Sequence, residues 1–138
     1  MSNQISPREI RDRFVDTFFK FLERLAMKYP DNKDIKAAAR DIKIVNHTVI
    51  INEFYNKLCP FKERINAKDE NFFLTEINYN NYKDSDTTSE EFGEVITELK
   101  KLWYHSSTTD QTKESIWKYL KTLVKLAEKY MQLLGKIE

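Results

Sequence analysis

The run IKIVNHTVIINEFYNKL, residues 42–58, decides the fold class of this chain. Ile42, Ile44, Val45, Val49, Ile50 and Ile51 are β-branched, stiff about χ1 and at home on a pleated surface, so propensity alone permits a strand. The apolar spacing favours the other reading. It continues at helical steps through Phe54, Tyr55 and Leu58, so the segment is read as helix with a break near Asn46. Pro60 closes it.

Upstream, Ala37, Ala38 and Ala39 have high helix propensity and side chains small enough for a neighbouring backbone to come close. Asp31, Asn32 and Asp34 supply oxygens and negative charge for a helix N-terminus, so this helix begins at about Lys33. Before it, Ser6, Pro7 and Glu9 form a capping box with proline at the first helical position, where its missing N–H is not needed. Ile10, Phe14, Phe18, Phe21, Leu22, Leu25 and Tyr29 then recur at three- and four-residue steps, with charged residues on the other side. Pro30 ends that helix, because the residue before proline avoids the α region.

Downstream, Phe61, Ile65, Phe72, Phe73 and Leu74 predict a short helix or turn docked on the core. Residues 77–89 are rich in Asn, Asp, Ser and Thr and lack an apolar period, so a flexible acidic loop is expected there. Thr88 and Glu91 form a second capping box, opening a helix that carries Phe92, Val95, Ile96, Leu99, Leu102 and Trp103 on one face and ends near His105. The last helix bears Ile116, Leu120, Leu123, Val124, Ala127, Tyr130, Met131 and Leu134, with Gly135 as its C-cap. The expected fold is all-α: one domain over residues 1–138, a bundle of four to six amphipathic helices around one core.

Composition agrees. The 138 residues suit a single domain, and 41% apolar residues against 33% charged ones read as a soluble globular chain. Two glycines and three prolines leave little material for β-turns or phosphate-cradling loops. A net charge of +1 supplies no global field for a polyanion or an anionic membrane. The lone Cys59 cannot close an internal disulfide, and the first thirteen residues hold no apolar run fit for a signal peptide. The expected setting is intracellular.

No enzyme motif emerges. His47 and His105, the only histidines, belong to no helical metal-ligand pair, and no metal or cofactor is expected. Cys59, between Leu58 and Pro60, could serve as a nucleophile with a distant histidine, but a buried inert thiol is the simpler account. Asp69 and Glu70 read as a solvated pair.

Charge is unevenly distributed. Nine carboxylates from Asp69 to Glu98 face only Lys83, a local charge of −8. On the last helix Lys118, Lys121, Lys125 and Lys129 follow helical steps; this ridge either contacts nucleic-acid phosphates or solvates the helix and neutralises the chain's own acidic block. Trp103, Tyr104 and Trp117 bracket the polar connection between the last two helices. They are candidate anchors of a protein interface, together with Asp84 and Asp86 in the loop, although both tryptophans also fit core positions.

Lys101-Leu102-Trp103, Ser106-Ser107 and Ile116-Trp117-Lys118-Tyr119-Leu120 resemble a pattern of small uncharacterised helical proteins of large eukaryotic DNA viruses; Lys68-Asp69-Glu70, Phe72-Phe73 and Tyr29-Pro30 share the likeness. The resemblance implies a viral origin and a setting in the host cytoplasm or the virion, and brings no catalytic residues. The expected function is a non-enzymatic interaction or scaffold protein, virion- or assembly-associated, that binds another protein or itself. The alternative is a nucleic-acid-associated protein using the lysine ridge. No membrane partner is expected.

Overall fold

A computed structural model describes residues 5–70 and 90–135. It is an all-α helical bundle: α1 (Pro7–Lys28), α2 (Lys33–Asp41), α3 (His47–Leu58), α4 (Lys62–Asn66), α5 (Glu90–Trp103) and α6 (Asp110–Leu133). No strand occurs among the described residues.

The run at 42–58 is helical, but in two pieces. A 3₁₀ turn, Ile42–Ile44, ends α2, and Asn46 then caps α3 by accepting the Thr48 N–H at 2.8 Å. An N-cap holds extended backbone while its side chain satisfies a free donor of the first turn, which explains why the break falls at an asparagine. The β-branched residues divide accordingly: Ile42, Ile50 and Ile51 are buried, whereas Ile44 is 80% exposed on the turn. A second 3₁₀ turn, Cys59–Phe61, contains Pro60 and leads into α4, the short helix expected beyond it, which buries Ile65.

The other boundaries follow the same local chemistry. Ser6 accepts the Glu9 N–H at 3.2 Å and starts α1; Asn32 accepts from Asp34 and Ile35 and starts α2. Thr109 accepts the Thr112 N–H at 3.1 Å and starts α6. Helix α5 stops at Trp103, two residues short of His105. Gly135, at φ +74°, takes the left-handed conformation just past α6, where a side chain would be strained. The loop at 77–89, Thr88 of the second capping box, and Phe72, Phe73 and Leu74 lie outside the described residues.

Helix α1 is the hub. Phe14 meets Phe54 of α3 edge-on at 5.1 Å between ring centroids, Phe18 stacks on Phe92 of α5 at 6.3 Å, and Phe21 stacks on Tyr119 of α6 at 4.9 Å. One aromatic stripe thus binds three partner helices, and each buried phenyl ring contributes about 1.5–3 kcal/mol of apolar burial. Thr17 lies with Lys118 and Thr122, and Lys28 with Thr112, so α1 and α6 run antiparallel. The opposite flank of α1 meets the turn after α2: Lys43 binds Glu23 at 2.6 Å and lies 6.0 Å from the Phe19 ring centroid.

Candidate functional site: two charged surfaces

The expected aromatic interface is interior. Trp103 and Trp117 are 1% and 4% exposed, and their rings meet edge-on at 5.0 Å, joining α5 to α6. The Lys113 ammonium lies 5.0 Å from the Trp103 ring centroid. Both tryptophans therefore hold the bundle together and present no ring to a partner. Tyr104 alone of the three is exposed, and Asp84 and Asp86 lie outside the described residues.

The lysine ridge has two flanks. Lys118, Lys125 and Lys129 are exposed, while Lys121 is half-buried. The acids of α6 turn toward α4, where Glu114 binds Lys68 and Glu128 binds Lys62 at 2.7 Å. Lys68 holds the Glu114 carboxyl below the usual carboxylate range, with Lys121 and Lys118 adding to it; Glu128 pushes the Lys62 ammonium up. Of the ridge lysines, Lys118 lies on the edge that α6 shares with α1.

That edge is a groove. Thr17, Arg24, Ser115, Lys118, Tyr119 and Thr122 line a depression of about 320 Å³. A smaller one of about 140 Å³ adjoins it through Arg24, Ser115 and Tyr119 and adds Lys28. No carboxylate lines either, and Arg24, Lys28 and Lys118 make no ion pair among the described residues. The Arg24 guanidinium lies 5.9 Å from the centre of the Tyr119 ring, which the stack on Phe21 fixes in place.

The carboxylates gather elsewhere. Asp34 and Asp41 of α2 and Glu94 and Glu98 of α5 line a cleft of about 440 Å³ in which Lys101 is the one cation among the described residues. Buried Ala38 and Ala39, with Ala37 in the cleft wall, mark the surface of α2 that packs near α5. Lys101 binds Glu98 at 3.3 Å, and Arg40 binds Asp41 at 2.9 Å. The Glu94 carboxyl is pushed up, first by desolvation and then by Glu90, Asp41, Glu91 and Glu98. Glu94 thus stands among carboxylates of which Glu98 and Asp41 have a basic partner, and their combined charge adds to the effect of its desolvation.

Arg24 and Lys28 went unread in the sequence because the cationic face was sought on one helix. Their steps, with Thr17 and Phe21, flank the core stripe of α1, and only the pairing of α1 with α6 gives them a shared surface.

The reactive side chains stand apart. Cys59 is 6% exposed, and its thiol is pushed up to about 12 by burial and the nearby Glu128 carboxylate. Its neighbours in a depression of about 460 Å³ include Tyr55, Lys62, Glu63 and Glu128 but neither histidine. His47 lies 3.4 Å from Asp12, and His105 sits against Tyr29, its Nδ1 accepting the Ser107 N–H at 3.1 Å. Among the described residues, no three metal-ligating side chains cluster, and no helix is long and apolar enough to cross a membrane. No protein family, curated protein or solved structure matches this chain.

Proposed function

We propose that this chain is a non-enzymatic interaction protein, a scaffold that engages another protein or itself through its charged surfaces. The sorting of charge about α1 carries this reading: a cationic groove toward α6 that no carboxylate lines among the described residues, and an acidic cleft between α2 and α5. Neither surface is neutralised by the other, and both stand on regular helices that hold their charges in fixed register. The short motifs that resemble viral helical proteins support a role in a virus particle or its assembly as part of the same proposal.

The test is capture by the tagged full chain in low salt, with Lys118→Glu and Glu94→Lys as variants. Capture of a protein partner or of the chain itself, lost when either surface is reversed, is the expected result. Failure to hold any protein, itself included, overturns the reading.

One observation favours a second reading. Lys118, Lys125 and Lys129 are exposed and make no ion pair among the described residues, so a nucleic-acid strand could follow this face of α6. That reading requires binding that falls steeply with salt, because neutralising phosphates releases counterions. A gel shift with single-stranded DNA at low salt decides it.

A further inference from the structure

We infer that the partner is a second copy of this chain, docked head to tail so that the α1–α6 groove of one copy receives the α2–α5 acidic edge of the next. This rests on the interaction reading and makes it specific. The two surfaces are different patches of one molecule, so their contact is heterologous and leaves a free groove at one end and a free cleft at the other.

The geometry of the charges supports the pairing. Arg24 and Lys28 stand four residues apart on α1, as do the exposed Glu90 and Glu94 on α5, a rise of about 6 Å in both cases. The groove thus presents Arg24, Lys28 and Lys118 to the carboxylates carried along α2 and α5. Arg24 offers a planar fork suited to a carboxylate, and Thr17, Ser115 and Thr122 add hydroxyl donors in the groove.

Electrostatics favours a copy over a foreign polyanion. Docking would bring cations to the carboxylates around Glu94, which among the described residues have Lys101 as the one cation within the cleft, so it relieves repulsion on one partner while satisfying the other. A nucleic acid would use the groove and leave the cleft as it is. With a net charge of +1, copies are not held apart by overall repulsion.

Sedimentation velocity on the full chain tests this at about 50 mM and about 500 mM salt, where screening lengths differ severalfold. The expected result is a mean mass that rises with concentration at low salt and returns to the 16.5 kDa monomer at high salt. Two charge-reversed proteins sharpen it: Arg24→Glu with Lys118→Glu, and Asp41→Lys with Glu94→Lys. Each alone should remain monomeric, and an equimolar mixture should associate again, because the untouched cleft of one variant then meets the untouched groove of the other and the two reversed surfaces also match. That rescue also shows that both variants are folded.

A wild-type monomer at all concentrations overturns the inference, as does a mixture that stays monomeric. If the monomer captures a different protein through these surfaces, self-association falls and the interaction reading stands. If it instead shifts single-stranded DNA and captures no protein, both fall and the groove belongs to a phosphate backbone.

Discussion

Cys59 is a thiol that the fold removes from chemistry. Pushed up to about 12 against an ordinary value near 9, it has a thiolate fraction about a thousandfold smaller at neutral pH, and the thiolate is the reactive form. Native protein at about pH 8 should react with an aromatic disulfide reagent far more slowly than the same protein in urea; equal rates would place the thiol at the surface. Glu94 makes an opposite kind of prediction. Its carboxyl is raised, so the folded chain binds that proton more readily than the unfolded chain. Its charge is consequently a penalty at neutral pH, relieved as pH falls through the raised value. Glu94→Gln should melt above wild type at neutral pH, with the gap closing in acid; a variant that melts lower would refute the crowding of carboxylates. Single residues were legible where one physical demand acts on them. Phe14 and Phe18 sit on a stripe that must be buried, and both are. Trp103 and Trp117 satisfy the spacing of a core residue and the composition of an interface equally well, and only the meeting of α5 with α6 separates the two.

At the scale of elements, capping chemistry fixed the boundaries best. Ser6 and Asn32 each accept the backbone donors their positions call for, and Asn46 marks the place where residues 33–58 divide into α2 and α3. The 3₁₀ turn at Ile42–Ile44 was not legible, because three residues of tighter winding do not disturb an apolar period of three or four. The end of α4 shows a local conflict. Lys68 adopts φ 54° while the Asp69 N–H reaches back to the Arg64 carbonyl at 3.0 Å, the closure that glycine usually provides. Lys68→Gly should therefore stabilise the fold by about 0.5–1 kcal/mol, since the exposed ion pair with Glu114 that it removes is worth little. Urea unfolding measures this, and a loss of stability would assign Lys68 a larger structural role.

For the whole molecule, the all-α class was legible because periodicity, capping and the scarcity of turn residues agree. The charged surfaces were only half legible. The lysines of α6 and the acids near Glu94 stand out along the chain, but their separation on different flanks of α1 is a property of helix packing, which no single-helix pattern encodes. If these surfaces serve contacts with other molecules, as proposed, the chain's own fold does not need them. Urea unfolding of the protein carrying Lys118→Glu and Lys125→Glu tests it most directly. Stability within about 0.5 kcal/mol of wild type is expected, as for exposed surface positions, whereas a loss of more than about 2 kcal/mol would show that the lysines serve the fold itself.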